Sequence, residues 1–425
     1  MGSELHPSGA KILSGEPQNL RAARQRRPAW LNRNVAGMSV TSFFSDAGHE
    51  MVTAVLPGFL GVIGVPAGVL GWIEGGSDAA ASFVKLGAGW YSDRIGSRKA
   101  MVTAGYFLTG TALALFAAAV SWPLILLGRL IAWIGRGIRA PLRDAMLSDS
   151  VSPDARGKAF GLHRAGDTLG AVIGPLIGVG CLSLLPASSA SGPFRIIFLF
   201  SLVPGLASVA AFAGLVRENK SRGQKGLRFW GALSNLPYPY RRFLTGVGVF
   251  GLGDFSHTLL ILAATQLLAP ERGPVAAAQW AAGLYVIRNL FYAGASFPIG
   301  FLADRISKTK LLAAGYLLGA CTAMATSALF VFHASRSGAL AAVFAAAGFY
   351  IAMEDALEGA IPADLVPSGL RGVGYGVMGT VNGVGDLAAS ALVGTLWTAV
   401  SPAAAFGAAA LLMLLGAALV LRNHA

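Results

Sequence analysis

The sequence is poor in cysteine and in charged residues. Only two of its 425 residues are cysteines, Cys181 and Cys321, and both lie inside long apolar segments. We therefore expect them to be small core residues, and they identify no redox compartment. Charged residues make up 12% of the chain, about half of the roughly 25% typical of soluble domains. This shortage excludes an ordinary soluble globular protein.

The chain contains long apolar runs instead. Hydrophobic residues make up 54% of it, and the mean hydropathy is +0.61. A helix of about 20 apolar residues crosses a bilayer. The predicted spans are roughly 35–63, 66–92, 100–120, 122–148, 158–183, 194–216, 242–268, 276–303, 310–333, 338–362, 373–399 and 402–421. The runs are too long and too uniformly apolar for the strands of a β-barrel. The sequence predicts an all-α membrane protein with twelve transmembrane helices in two six-helix bundles.

The net charge of +13 marks topology rather than a nucleic-acid partner. Basic residues concentrate in the tail 1–34, in alternate connections and in the middle loop 217–241. By the positive-inside rule, both termini and the middle loop lie in the cytoplasm. The bundles are then 35–216 and 242–425. We expect a bacterial inner-membrane protein.

One basic motif occurs twice, half a chain apart. The first copy is Gly89-x-x-x-Asp93-Arg94-x-Gly96-x-Arg98-Lys99, and the second is Gly300-x-x-x-Asp304-Arg305-x-x-Lys308-x-Lys310. The fourth segment reads Arg129…Gly135-x-Gly137, and the fifth reads Gly170-x-x-x-Gly174-Pro175-x-x-Gly178. Glycines at helical spacing provide a smooth groove for close helix packing.

Together these motifs resemble the major facilitator superfamily, and the fifth-segment motif resembles that of its proton-coupled exporters. The resemblance implies secondary transport by alternating access. It also implies that Asp93 caps the start of the eleventh helix, and that Arg94 and Arg98 pair with Asp149. Asp304 and Arg305 are the equivalents of Asp93 and Arg94 in the second half. Ser97, Trp133 and Arg136 depart from the family pattern.

Ionisable residues at membrane depth indicate a cavity or a proton relay. Asp46, His49 and Glu50 are helical neighbours on the first segment. Close carboxylates in a low-dielectric site favour holding a proton between them. We therefore expect proton coupling at Asp46, His49, Glu50 and Asp254. An internal ion pair is the structural alternative.

The repeat of Asp46-x-x-His49 as Asp254-x-x-His257 permits another interpretation. These four side chains would suit a divalent transition metal if they met at mid-membrane. The rest of the predicted cavity consists of Asp78, Arg129, Arg136, Arg164, Asp167 and His257. Asp78 and Lys85 share a helical face, so a stabilising pair is the alternative for Asp78.

The repeat and the family resemblance together predict a gate. Arg139 and Arg143 near the end of the fourth segment align with Glu354 and Glu358 on the tenth. Each pair is four residues apart and shares one face. The resemblance implies that these helix ends meet across the two halves in the outward-facing state, so we expect salt bridges there that form and break during transport. Snorkelling side chains at the membrane edge are the alternative.

The combined prediction is a proton-coupled exporter of a small molecule, acting as a monomer. The alternatives are uptake of an organic anion, drawn by Arg129, Arg136 and Arg164, and transport of a divalent metal. A non-transporting sensor or scaffold is the third interpretation. No ATP-binding motif is present, and Gly246-x-Gly248-x-x-Gly251 lies in an apolar segment without a preceding strand, so neither an enzyme nor a cofactor is predicted.

Overall fold

The computed structural model describes residues 30–95, 98–151, 156–185, 189–218, 236–303, 305–366 and 371–422. Within these ranges the regular structure is helical, as predicted, and contains no strand. The helices are α1 (Arg33–Val62), α2 (Ala67–Ile95), α3 (Lys99–Ala112, extended by a 3-10 turn Leu113–Ala118), α4 (Trp122–Asp149), α5 (Arg156–Leu184), α6a (Gly192–Phe200), α6b (Leu202–Leu215), α7a (Tyr238–Gly251), α7b (His257–Arg272), α8 (Pro274–Ala303), α9 (Lys308–Val331), α10 (Ser337–Leu365), α11 (Arg371–Ala399) and α12 (Pro402–Arg422).

The helices fall at the twelve predicted segments. Seven spans in the described ranges are long and apolar enough to cross a membrane by length and composition: α3 with its 3-10 turn, the combined α6, and parts of α5 and α9–α12. The other segments are split or carry more polar residues. Those polar helices contribute most of the cavity described below.

The predicted seventh segment is not one continuous helix. It is divided into α7a and α7b by Leu252–Ser256. Gly253 lies against the carbonyl oxygen of Ala409 on α12, where a Cβ would approach to 2.5 Å. Ser256 then caps α7b by accepting a hydrogen bond from the backbone N–H of Thr258. Apolar residues lie on both sides of this break, which is why the sequence predicted a single helix.

The break corrects the expected equivalence of the two Asp-x-x-His motifs. Asp46 and His49 lie one turn apart inside α1, whereas Asp254 lies in the break and His257 begins α7b. The second motif therefore does not present its two side chains from one helical face.

Contacts divide the helices into α1–α6b and α7a–α12. The two halves meet mainly where α2 packs on α11 and α5 packs on α8. We call the end of the helical bundle at which α1 begins and α12 ends the basic side. The other end of the bundle is the opposite side. The tail 1–29 and residues 219–235 of the middle loop lie outside the described ranges.

The fifth-segment glycines pack α5 against α1. A Cβ on Gly170 would approach the carbonyl oxygen of Phe43 to 2.6 Å, and one on Gly174 would collide with the carbonyl oxygen of Ala47. Gly178 continues the same row against Met51. The motif therefore allows backbone-to-backbone packing inside the first half.

Glycines also close the seam between the halves on the opposite side. Gly71 of α2 lies so close to α11 that a Cβ would collide with the carbonyl oxygen of Ser390. A Cβ on Gly394 would approach the carbonyl oxygen of Ala67 to 2.7 Å. The second seam is joined by a hydrogen bond of 2.5 Å from Gln279 of α8 to Ser183 of α5.

The prediction that both cysteines are core residues is wrong for one of them. Cys181 is half-buried, but Cys321 is exposed on α9. A membrane helix meets lipid on its outer face, and a small apolar side chain is as suitable there as in a core.

Candidate functional site

A polar cavity of about 440 Å³ lies between the two halves. Its ionisable residues are Asp46, His49, Glu50, Glu74, Asp78, Lys85, Arg136, Arg164, Asp167, Asp254, His257, Tyr285, Arg288, Tyr292, Tyr350, Asp355 and Asp386. The seam contacts of Gly71 and Gly394 close it on the opposite side, and Lys85 and Arg164 extend it toward the basic side. Predicted residues from five of the twelve segments thus meet in one cavity.

The floor of the cavity contains a buried ion pair. Arg129 of α4 donates to Glu74 of α2 at 2.5 Å, and their side chains are 0% and 1% exposed. The Arg129 guanidinium also lies 3.8 Å from the ring centroid of Trp133. Arg129 was predicted as a cavity residue, but it lies behind Glu74 and does not line the cavity. Its role is to hold the Glu74 carboxylate in place.

Glu74 also reaches the second half. The Ser256 hydroxyl, at the start of α7b, donates to Glu74 at 3.3 Å. The break in the seventh segment therefore places a hydroxyl group where a continuous helix would present none. This contact links the buried ion pair of one half to the broken helix of the other.

The carboxylates of α1 have two kinds of partner. Asp46 lies 3.8 Å from Arg136 and 3.9 Å from Arg139, which are long ion pairs within the first half. Glu50 accepts a 2.7 Å hydrogen bond from the hydroxyl of Tyr285 on α8. One turn of α1 thus connects the arginines of its own half with the second half.

The two histidines line the cavity through aromatic contacts. His49 packs on Trp133 with ring centroids 4.7 Å apart, and His257 stacks on Tyr285 at 5.1 Å. The Asp254 carboxylate accepts instead from the Tyr350 hydroxyl at 3.0 Å. In the described ranges no three His, Cys, Asp or Glu side chains converge as a metal site would require. The four residues of the metal interpretation share the cavity without meeting at one point.

Asp78 lines the cavity, as predicted, and does not form the alternative ion pair with Lys85. It accepts a 2.5 Å hydrogen bond from the indole N–H of Trp133. Trp133 stands where the family pattern has glycine, so this departure supplies the donor for Asp78. On α5, Asp167 lies 3.5 Å from His163, while Arg164 faces the cavity.

The basic motif forms a similar ion pair in each half, from positions that differ by one residue in the repeat. Arg98 contacts Asp149 at 2.6 Å, as the resemblance implied, and Lys308 contacts Asp364 at 2.7 Å. Both pairs join the start of one helix to the end of a neighbour on the basic side. The side chains of Asp93 and Arg94, and all of Asp304, lie outside the described part of the chain, whereas Arg305 follows α8 in a turn.

The predicted gate residues face into their own halves in this conformation. Arg139 lies 4.3 Å from the ring centroid of Tyr106, and Arg143 contacts Asp144 at 2.9 Å. Glu358 accepts from Tyr316 and, at 2.7 Å, from Asn382. These residues stay predicted gate residues of the conformation that is closed on the basic side.

Charge reversal tests the gate. Arg143→Glu or Glu354→Arg alone should reduce transport by proteoliposomes at least about tenfold, since each places like charges across the closing seam. The double variant should recover part of the rate. Reversal of Glu271 and Arg272, at the exposed end of α7b, is the control. A double variant no better than the singles would contradict the gate.

Several cavity residues were not predicted from the sequence. Asp355, Asp386, Tyr285 and Arg288 line the cavity from the second half. An aspartate within the apolar α11 was a detectable signal, because charge at membrane depth is rare. The tyrosines carried no such signal, since an aromatic residue in a span is usually a packing residue.

Comparison with known proteins decides the family. The model of the Major Facilitator Superfamily matches residues 38–255 and 246–424, nearly all of the chain. The chain belongs to the Major Facilitator Superfamily. Membership makes this protein a membrane transporter rather than an enzyme.

Relatives of this transporter have the same length but little sequence identity. An uncharacterised MFS-type transporter of Methanocaldococcus jannaschii is 30% identical over 376 residues, covering 88% of this chain and 91% of that protein. Among solved structures, the nucleoside transporter NupG has a TM-score of 0.75 at 12% identity, covering 92% and 100% of the two chains. A bacterial homologue of the human lysosomal transporter Spinster, in an inward-facing occupied conformation, has a TM-score of 0.68 at 16% identity, covering 92% and 96%. At these identities the solved structures show the fold alone.

Proposed function

We propose that this protein is a proton-coupled secondary transporter that exports a small polar solute by antiport. The observation that carries the proposal is the hydrogen bond from Tyr285 to Glu50, which crosses between the two halves. Protonation of a carboxylate removes its charge and part of its acceptor capacity. A proton on Glu50 would therefore weaken a contact that exists only while the halves are in this arrangement.

A proton can drive alternating access only if it binds the two conformations unequally. Asp46 supports such a difference because its arginine partners are 3.8 and 3.9 Å away, too far for short charge-assisted hydrogen bonds. Arg136 is one-third exposed, so Asp46 is reached from the cavity. The Asp46 carboxylate would then hold either a proton or a cationic group of the solute, and antiport requires such competition.

The cavity composition supports a polar solute. Its walls are dominated by ionisable side chains rather than the apolar surface found in most drug-sized pockets. With the basic side in the cytoplasm, as the positive-inside rule predicts, the cavity faces the cytoplasm in this conformation. We propose a bacterial inner membrane, cytoplasmic termini and a monomer.

Uptake of an organic anion is the second candidate. Arg136 and Arg164 both line the cavity, and Arg164 has no hydrogen-bond or ion-pair partner among the described residues. An anion would supply the missing partner. In proton-coupled uptake the proton moves with the anion, whereas in antiport it moves against the solute, so the direction of proton movement relative to the solute distinguishes the two candidates.

Proton flux in proteoliposomes tests coupling and direction together. Vesicles containing a pH-sensitive dye are given pooled drugs, organic acids, amino acids or divalent metals. One pool should move protons, and Asp46→Asn and Glu50→Gln should each reduce that movement at least about tenfold, because the amides cannot exchange a proton.

Glu271→Gln is the matched control, because Glu271 lies at the exposed end of α7b, outside the cavity. Proton flux that survives both helix-one variants would contradict the coupling site. Solute flux without proton movement in any pool would replace the antiport proposal with facilitated diffusion.

A further inference from the structure

The lysine and arginine residues that line the cavity are unevenly divided between its two walls. Lys85, Arg136 and Arg164 line it from the first half, together with five carboxylates. Asp254, Asp355 and Asp386 line it from the second half, where Arg288 is the one lining lysine or arginine in the described ranges. Which charges are left for a solute therefore depends on which side chains already have partners.

The carboxylates of the first half are already engaged. Their partners are Arg129 for Glu74, Arg136 and Arg139 for Asp46, Trp133 for Asp78, His163 for Asp167 and Tyr285 for Glu50. Lys85 and Arg164, in contrast, have no hydrogen-bond or ion-pair partner in the described part of the chain. Lys85 and Arg164 are therefore the cations of this wall that are left for an anionic group of a ligand.

The second half leaves a negative charge. Arg288 donates to the side chain of Asn289 at 2.9 Å, and Asp355 accepts from Tyr292 at 2.7 Å. Asp386 lines the cavity without a hydrogen-bond or ion-pair partner among the residues that the structure describes. A carboxylate at membrane depth without a hydrogen bond or a close ion pair is costly, so an amino group on a solute would stabilise it.

Some buried polar atoms around the cavity have no hydrogen-bond partner, which also indicates a bound ligand. His49 is 4% exposed and lines the cavity, yet its Nδ1 atom has no partner. The Nε2 atom of His257 is also buried and unpaired. Buried polar groups are normally hydrogen-bonded, so such exceptions indicate a ligand or ordered water.

We propose that the cavity binds a small zwitterion of the amino-acid type, with its carboxylate toward Lys85 and Arg164 and its amino group toward Asp386. The volume of about 440 Å³ is within the range of small-molecule sites. Because the two charged groups contact different halves, the solute itself bridges them. This inference rests on the proposed transport function and adds the substrate class.

Counterflow tests the inference without a proton gradient. Proteoliposomes loaded with unlabelled neutral amino acids are diluted into the same amino acids carrying a radiolabel. The label should accumulate, and competition should require both charges. Amino-acid amides, which lack the carboxylate, and N-acetyl amino acids, which lack the amine, should each compete at least about tenfold less well.

Two variants test which wall of the cavity binds each charged group of the solute. Asp386→Asn should reduce the preference for free amino acids over the N-acetyl forms, and Arg164→Gln should reduce the preference over the amides. A protein that merely failed to fold would lose all exchange without changing these ratios. Glu271→Gln and Arg272→Gln repeat the same chemistry outside the cavity and should leave both ratios unchanged.

Each other outcome overturns the inference. If the amides compete as well as the free amino acids, the site recognises only a cation. If the N-acetyl forms compete as well as the free amino acids, the site recognises only an anion. If amino acids do not exchange but another pool moves protons, the substrate class is wrong and proton-coupled transport stands. If no pool moves solute or protons, the transport proposal fails as well.

Discussion

Replacing Arg129 by methionine is expected to lower the free energy of unfolding by about 3–5 kcal/mol and to abolish transport. The change leaves the Glu74 carboxylate 1% exposed with only the 3.3 Å hydrogen bond from Ser256. A charge buried without its counterion costs far more than the pair itself contributes. Unfolding followed in detergent and solute flux in proteoliposomes measure the two effects.

The double variant Glu74→Leu with Arg129→Met separates stability from function. Replacing a buried ion pair with apolar residues is often neutral or stabilising, so much of the lost stability should return. Transport should not return, because Ser256 then has no carboxylate to contact across the halves. Arg272→Met, an exposed change, is the control. A single variant as stable as the parent would show that Glu74 is held by other groups.

The sequence predicted the helical class and the two-half arrangement, because apolar length and repeated motifs are local signals. The contact between Arg98 and Asp149 was expected because the resemblance of the basic motif to the family pattern implied it. The ion pair of Glu74 and Arg129 was not predicted. Its partners are far apart in the chain, and only the packing of α2 on α4 brings them together.

The same limit explains the errors in the second half. Asp254 and His257 repeat a helical spacing, but Asp254 lies in the break Leu252–Ser256 and His257 begins α7b, so their surroundings differ. Asp386 is detectable in the sequence as a charge at membrane depth, but its lack of a partner, on which its proposed role rests, is not. Packing and unsatisfied charge are properties of the assembled bundle, so local sequence patterns do not contain them.

Gly71 should control the equilibrium between conformations rather than folding. A side chain there would collide with the Ser390 carbonyl oxygen on α11, a contact across the seam. Gly71→Val should therefore destabilise only the arrangement that is closed on the opposite side. If the overpacking costs about 1–3 kcal/mol, the ratio of the two conformations changes roughly 5- to 150-fold. Transport should fall accordingly.

Spin labels at Val120 and Val400, exposed residues on the opposite side of the two halves, measure this shift as an increased distance between the halves. Gly76→Val is the matched control, since no atom lies within 4 Å of a Cβ at Gly76.

Gly174→Val should instead lower the unfolding midpoint, because its collision with Ala47 is inside one half. If Gly71→Val reduces stability as Gly174→Val does and leaves the label distances unchanged, the seam is a fixed interface. If distances shift while the unfolding midpoint holds, the α2–α11 contact opens during transport.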